Sequence, residues 1–431
     1  MQPSHPFERP FVSRGFSGKW GGQRSGYQRH SFRGFEWIMR GRHITDAVYL
    51  SQRICGICSL AHGAVSSYLI DAVYDNDISA NAQYLRNIMF AADFLQNHIR
   101  HFYIFSIPDF VKMPDVPPFH KQNTTDLRLN SADNKRLSEH YFKAAKASQR
   151  CHEIIALFGG KIPHQHSFLH GGVTVAPTAD KINRALALIN SIQEFIHSRM
   201  LPDTEIIARA YRDYFEIGRT PKRILSFGLF RFGPKNEQVL WKSGVLVNGQ
   251  LKPLQTELIH EEVTSTWLRE EPGGDLIPDP NKPGAYTWVK TVKYNREFFE
   301  GGPLARMLIN GKYQGGTGTM DRIVARSLET YLIADLVEKW LYKLKQGLPS
   351  EPKEDSGSKE CHFINRRHAR ATFASGQDIR RTDNRIQHHH THSLELRTQR
   401  PLRKTRPAEK CTIEHTDPPS STSGDNPGTH Y

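Results

Sequence analysis

The chain has 431 residues, of which 38% are hydrophobic and 10% aromatic, so it can form a sizeable core and is neither fibrous nor wholly disordered. Lys and Arg number 58 against 44 Asp and Glu, which gives a formal net charge of +14. These basic residues concentrate in residues 1–31 and beyond residue 348, where no helix-turn-helix, zinc-finger or RNA-binding motif accompanies them. We therefore expect no nucleic-acid partner.

No run of about 18 apolar residues occurs, so the sequence predicts no membrane span. The N-terminus, MQPSHPFERP, lacks the apolar stretch of a secretory signal. Any membrane or export address is therefore expected to come from a partner, and the chain itself does not indicate its location.

Composition divides the chain into an N-terminal segment (1–31), a well-patterned domain (32–348) and a basic, His-rich tail (349–431). Apolar residues at helical spacing predict long helices, and shorter runs broken by Pro and Gly predict strands. The fold class that follows is α+β and helix-dominated, with a long-helix bundle core and small β insertions. The expected helices span 59–73, 81–105, 179–197 and 319–344, and the expected strands include 244–247 and 286–289.

The most informative short motif is the cysteine pair Cys55 and Cys58, separated by Gly56 and Ile57. Two thiolates at this spacing can bind one soft metal ion, and Gly56 removes a side chain that would crowd it. The neighbouring Arg53 is expected to favour the deprotonated sulfurs. Taken alone, the pair is equally compatible with a metal site, a redox dithiol or an incidental spacing, because no second pair follows at zinc-ribbon spacing.

Further short motifs surround the pair in a defined order, and together they are more specific than any of them alone. In chain order they are RGFE at 33–36, SQR at 51–53, FLQNH at 94–98, HFY at 101–103, GGKIPH at 159–164, KPGAY at 282–286, GPLAR at 302–306 and TMDR at 319–322. This set resembles the large subunit of [NiFe] hydrogenases over residues 32–348.

The resemblance implies a nickel–iron centre whose iron carries carbon monoxide and cyanide, with a magnesium ion nearby. Cys55 corresponds to a terminal nickel ligand, and Cys58 to the thiolate that bridges nickel and iron. Glu36 corresponds to a magnesium ligand, a role that suits a hard oxygen donor. His62 and Arg53 are expected beside the metal ligands, with His62 donating a hydrogen bond to the Cys58 sulfur.

Four other residues carry open or weaker interpretations. His98 and His101 lie at near-turn spacing on one expected helix, as ligands or as polar wedges in the bundle. Asn97 stands where family members carry Asp, so a carboxylate near the site is expected to be missing. Cys151 is expected to be a small buried hydrophobic residue.

The implied function is reversible heterolytic cleavage of H2, with electrons passing to an iron–sulfur small subunit and, through the complex, a membrane cytochrome b. The large subunit has no iron–sulfur ligand pattern of its own. A quinone-linked respiratory relative is less compatible, because it lacks the cysteine ligands. A non-catalytic hydrogen sensor or a decayed structural subunit of the same family remains the alternative, and a His-rich metallochaperone is a weaker one.

The family also carries a C-terminal Asp-Pro-Cys-x-x-Cys-x-x-His motif that supplies two more thiolates. Cys361 and Cys411 are single and cannot replace it, so the chain as written is expected to be impaired. Shifting the frame by one nucleotide in plausible codons for residues 386–396 gives Tyr-Asn-Ile-Ile-Thr-Pro-Thr-Val-Trp-Asn, a family-like peptide. The same shift also gives family-like peptides for residues 409–416 and 26–32. We infer that both ends are translated out of frame, and we expect them to be disordered.

Resequencing the gene across codons 1–32 and 347–431 tests this hypothesis. We expect the nucleotide sequence to encode the family-like peptides in the shifted frame. Codons that forbid those peptides would contradict the loss of frame.

Overall fold

The computed structural model describes residues 12–16, 24–28, 32–115, 126–272 and 275–347. The first elements are the antiparallel pair β1 (Val12–Phe16) and β2 (Arg24–Gln28), followed by the short helices α1 (Phe35–Met39) and α2 (Asp46–Ser51). The expected disorder of 1–31 and of the tail falls mainly on residues outside the described ranges. The loss of frame at both ends therefore stays a prediction.

Long helices form the centre of the domain, and their apolar faces meet in one large core. Helix α4 (Ala80–Arg100) packs against α6 (Ser131–Gly159) and α10 (Thr319–Leu341), and α7 (Ala179–Phe195) packs against both of these. Polar N-cap side chains fix several starts, as where Ser79 accepts a hydrogen bond from the Ala82 amide at 3.2 Å. A further long helix, α3 (Ser59–Tyr74), precedes α4.

A π-helical turn, His101–Ser106, continues α4 into the short α5 (Ile107–Phe110), and a second, Ile196–Met200, joins α7 to α8 (Leu201–Ala210). Within the first turn the Tyr103 hydroxyl donates to Asp203 at 2.8 Å, and both side chains are buried. The first irregular turn is therefore joined to α8, the helix that follows the second turn, by a hydrogen bond inside the bundle.

The strands form small antiparallel sheets outside the bundle. The largest has three strands, β5 (Arg223–Phe232), β6 (Gln238–Val247) and β7 (Gln250–Lys252). Helix α9 (Pro303–Ile309) packs on this sheet. The others are two-stranded: β3 (Phe168–Leu169) with β4 (Gly172–Val173), β8 (Ile259–Glu262) with β11 (Thr291–Tyr294), and β9 (Leu268–Glu270) with β10 (Leu276–Pro278).

The predicted α+β, helix-dominated fold class is confirmed, and all four predicted helices are present. The predicted strand at 286–289 is wrong, because that segment makes only an isolated bridge, Thr266 to Thr287, and the ladder begins at Thr291. Within the described residues, no helix combines the length and the apolar character that crossing a membrane requires.

A buried ion pair joins α3 to α4. Arg86 Nη1 lies 2.7 Å from Asp71 Oδ2, with side-chain exposures of 1% and 3%. Arg86 also donates to the carbonyl oxygens of Leu169 and Gly172, while Asp71 accepts from the Gly171 amide at 2.6 Å. The pair therefore connects both helices to the β3–β4 hairpin, and each charge is compensated by hydrogen bonds.

Arg86→Met is expected to lower the free energy of unfolding by about 3–5 kcal/mol, because it leaves the Asp71 carboxylate buried without its counter-ion. Urea unfolding measures the change. Arg209→Met is the matched control, since the Arg209–Glu205 pair is 70% and 62% exposed and should cost at most about 1 kcal/mol. Equal losses in the two variants would contradict a structural role for the buried pair.

Candidate metal centre

The cysteine pair lies on a short connection between α2 and α3. A 3-10 turn, Gln52–Ile54, leads into an extended Cys55, and Cys58 is the N-cap residue of α3. The buried Gln52 side chain donates to the carbonyl oxygens of Val48 at 2.9 Å and Gln165 at 3.1 Å. A Cβ at Gly63 would lie 3.0 Å from the Gln52 side chain, so the glycine allows α3 to approach the turn closely.

Arg33 connects the RGFE segment to this turn. Its guanidinium donates from Nη1 to the Arg53 carbonyl oxygen at 3.0 Å and from Nη2 to the Ile54 carbonyl oxygen. Gly34 follows in the left-handed region, with φ at 62°, and α1 begins directly after it. The two motifs that were separate in the sequence are therefore held together by a side chain of one and the backbone of the other.

The two cysteines interact with each other. The Cys58 amide donates to Cys55 Sγ at 3.2 Å. The hydrogen bond from the Cys58 side chain lowers the pKa of Cys55 to about 6 against the opposing effect of burial, with smaller contributions from the backbone amides and the Arg33 charge. Donating that bond, together with burial, raises the pKa of Cys58 well above its ordinary range. Cys55 is therefore the more acidic thiol of the pair.

A buried carboxylate that the sequence analysis missed lies close to the pair. Asp93 on α4 is 4% exposed, and burial raises its pKa to about 7, opposed by a hydrogen bond from Gln96. The Gln96 amide donates to Asp93 Oδ1 at 3.1 Å and to the Ile57 carbonyl oxygen at 3.4 Å, between the cysteines. Asn97, where a missing carboxylate was expected, donates to the Asp93 carbonyl oxygen. The only sequence signal for this carboxylate was an Asp next to the apolar stripe of the predicted helix.

Glu36, the predicted magnesium ligand, is held by a lysine. Lys290 Nζ lies 2.7 Å from Glu36 Oε1 and 2.9 Å from Glu261 Oε2. Glu261 belongs to β8, and Lys290 immediately precedes β11. The structure therefore brings a second carboxylate and an ammonium to Glu36, neither of which the sequence indicated.

His62 and Arg53 were both expected beside the metal ligands. His62 is buried in the first turn of α3, and its amide donates to the Cys58 carbonyl oxygen at 3.4 Å. Its hydrogen bond to the Cys58 sulfur stays a prediction. Arg53 is exposed, and its charge lowers the pKa of His164, after the larger effect of burial. The guanidinium that lowers the pKa of Cys55 is that of Arg33, so the role expected of Arg53 also stays a prediction.

The sequence left the roles of two histidines undecided, and the first of them, His98, is a polar wedge in the bundle. Its Nε2 lies 2.7 Å from the buried Glu329 carboxylate and its Nδ1 lies 3.1 Å from Arg326. His101 is exposed, with its Nδ1 3.5 Å from the Ser106 hydroxyl. Cys151 is fully buried in α6, as expected.

The donor chemistry of the described residues fits part of the implied metal set. Two adjacent sulfurs suit a soft metal, and the Glu36 and Glu261 oxygens suit magnesium. A Cβ at Gly56 would meet no protein atom within 4 Å, which leaves open space beside the pair. Within the described part of the chain, however, no group of three or more His, Cys, Asp and Glu residues could hold a metal ion. The four-thiolate set is therefore not complete there.

Comparison with known proteins resolves the family. The model of the nickel-dependent hydrogenase family matches residues 33–139 and 117–317. The chain belongs to the nickel-dependent hydrogenase family. The periplasmic [NiFeSe] hydrogenase large subunit of Desulfomicrobium baculatum is 33% identical over 364 residues, which cover 75% of this chain and 71% of that one. The Hydrogenase-2 large chain of Escherichia coli K12 is 26% identical, over 64% of this chain and 61% of that one.

Solved structures agree with this assignment. The [NiFeSe] hydrogenase of D. baculatum matches with a TM-score of 0.72 and 33% identity, covering 76% of both chains. The reduced [NiFeSe] hydrogenase of Desulfovibrio vulgaris Hildenborough has the same TM-score and identity, and the match covers 76% of this chain and 75% of that one. The predicted resemblance is confirmed: this is a large-subunit chain of a nickel-dependent oxidoreductase family. It spans less than two thirds of the Hydrogenase-2 large chain.

The hydrogen-bonded thiol pair predicts the pH at which Cys55 reacts. Because the thiolate is the nucleophile, carbamidomethylation of Cys55 by iodoacetamide should reach half its maximal rate near pH 6, the lowered pKa. In Cys58→Ala the donor is lost, and the midpoint should rise toward about 8.5, the ordinary thiol value. Mass spectrometry of the peptide that contains Cys55 gives the rate.

Cys151→Ser is the matched control, since Cys151 is buried in α6 and should not affect the profile. A wild-type midpoint near the ordinary value would contradict the hydrogen bond from Cys58 as the cause of the lowered pKa.

Proposed function

We propose that this chain is a large subunit for reversible heterolytic cleavage of H2 into a proton and a hydride, in an impaired form. The observation that carries the proposal is the cysteine pair at the N-terminus of α3, held against the RGFE segment by Arg33 in a nickel-dependent hydrogenase fold. A helix N-terminus favours the anionic thiolate that metal binding requires. When bound, a nickel–iron centre, its iron carrying carbon monoxide and cyanide, would supply the redox chemistry.

Within this function, we assign Cys55 as a terminal nickel ligand and Cys58 as the thiolate shared with iron. Glu36 would bind magnesium, and His62 and Arg53 would support the cysteine ligands. The pKa values of the two thiols are consistent with unequal roles, because that of Cys55 is lowered and that of Cys58 is raised, so Cys58 loses its proton last. Metal binding would release that proton.

The proposed partner is an iron–sulfur small subunit that receives the electrons, with a membrane cytochrome b reached through the complex. Exposed apolar side chains near the site support a protein partner: Ile57, between the two cysteines, is 59% exposed. On α1, the adjacent Trp37 and Ile38 are 40% and 42% exposed, and neighbouring exposed apolar side chains are typical of an interaction surface.

The proposed impairment of nickel binding follows from the number of thiolate ligands. Two thiolates leave a soft metal with an incomplete set of protein ligands, and incomplete sets bind weakly. We therefore expect the purified chain as written to contain far less than one nickel per chain and to take up no hydrogen. Metal analysis by mass spectrometry and hydrogen-dependent dye reduction are the measurements.

Restoring the C-terminal reading frame, if the gene encodes the missing motif, should restore nickel binding. In that restored chain Cys55→Ser and Cys58→Ser should each abolish it, whereas Cys151→Ser should retain it. Stoichiometric nickel in the chain as written would contradict impairment, and nickel retained in both cysteine variants would contradict the ligand assignment.

A further inference from the structure

A buried histidine connects three helices of the bundle. His98 on α4 lies between two side chains of α10. Its Nε2 is 2.7 Å from a carboxylate oxygen of Glu329, and its Nδ1 is 3.1 Å from Nη1 of Arg326. Arg306 on α9 donates to both oxygens of the same carboxylate, at 2.6 and 2.8 Å. The four side chains therefore join α4, α9 and α10 in one polar cluster.

The partners of His98 fix the positions of its ring hydrogens. A guanidinium only donates hydrogen bonds, so the Nδ1 that faces Arg326 must accept one and carry no proton. An ionised carboxylate only accepts, so the Nε2 that faces Glu329 must donate. Only the neutral ring with its hydrogen on Nε2 makes both contacts at once. The assembled cluster therefore requires an uncharged His98.

The groups that face His98 differ in how they respond to acid. Burial lowers the pKa of His98 to about 4, opposed by the hydrogen bond and charge of Glu329 and assisted by the charges of Arg326 and Arg306. Burial also opposes ionisation of Glu329, but Arg306, together with His98, lowers the pKa of that carboxyl to about 2. The ring of Phe94, whose centroid is 5.7 Å from that of His98, carries no charge. Within this cluster, His98 is therefore the group that takes up a proton in mild acid.

A proton on Nδ1 is incompatible with the contact to Arg326. It would place an imidazolium N–H against a guanidinium N–H, so the hydrogen bond would be lost and two like charges would face each other in a buried site. The hydrogen bond to Glu329 would remain, because Nε2 keeps its hydrogen. The cost of protonation therefore falls on the contact between His98 and Arg326.

We propose that His98 is an acid-sensitive joint of the bundle, whose protonation releases α4 from Arg326 on α10. The proposal rests on the geometry of the bundle and does not depend on the proposed metal site.

The two states of His98 give the direction of the pH dependence. Its pKa is about 6.5 in the unfolded chain and about 4 in the fold, so between these values the unfolded chain binds more protons. The stability that the neutral histidine contributes is therefore present above about pH 6.5 and is lost as the pH falls toward 4. Between pH 7 and pH 4.5, His98 should raise the equilibrium constant of unfolding by about one to two orders of magnitude.

Urea unfolding and hydrogen–deuterium exchange of the full chain at about pH 7 and pH 4.5 test the proposal. In the wild type, acid should lower the urea midpoint and should increase exchange in α4 and α10, after correction for the intrinsic exchange rate. His98→Gln keeps a donor for Glu329 but cannot be protonated, so the part of both changes that is due to His98 should disappear. Arg326→Gln removes a charge that opposes protonation, and should reduce both changes.

His101→Gln is the matched control, because His101 is exposed on the same helical segment, three residues further along, and should leave both changes as in the wild type. A His98→Gln variant that is folded at neutral pH and still loses as much stability in acid as the wild type overturns the proposal. If that variant does not fold, Arg326→Gln decides, since an undiminished acid loss there overturns the proposal and a smaller one supports it. A control that flattens the pH dependence as much as His98→Gln also overturns it.

Discussion

The buried Asp71–Arg86 ion pair is the constraint on which the position of the candidate site depends. It fixes α3 against α4 in an environment that excludes water, where a charge without its partner costs several kilocalories per mole. Helix α3 begins at the residue after Cys58, and α4 carries Asp93 and Gln96, so the relative placement of these two helices sets the surroundings of the cysteine pair. An ion pair that stabilises the fold thus determines the surroundings of the reactive cysteine pair.

Four of the long helices and the family could be predicted from the sequence because their signals are local or jointly specific, whereas α6 (Ser131–Gly159) was not predicted. Apolar spacing located α3, α4, α7 and α10, and the ordered short motifs indicated the family. The strand ladder at Thr291 was misplaced, because one isolated bridge at Thr287 and a paired strand look alike in composition. Strand pairing is set by partners distant in the sequence, and a single chain carries little local trace of them.

The residues of the candidate site likewise divide into those that local motifs predicted and those that only the fold brings together. Cys55, Cys58 and Glu36 were identified from short motifs, whereas Lys290 and Glu261 approach Glu36 across more than two hundred residues. Asp93 was overlooked because its neighbours read as an ordinary apolar stripe. Charged groups that modify a site from other elements are found only when the fold brings them together, and they shift the pKa values of the groups beside them.

The π-helical turn at His101–Ser106 has a consequence for the continuous helical segment formed by α4 and α5. Each π-type turn accommodates one additional residue, which rotates everything after it by about 100° relative to an uninterrupted α-helix. Before the turn the helical segment directs His98 toward Glu329 on α10, and within the turn Tyr103 is directed toward Asp203 on α8. One continuous helix can therefore serve two polar contacts whose spacing a regular repeat would not match, because its phase changes partway along.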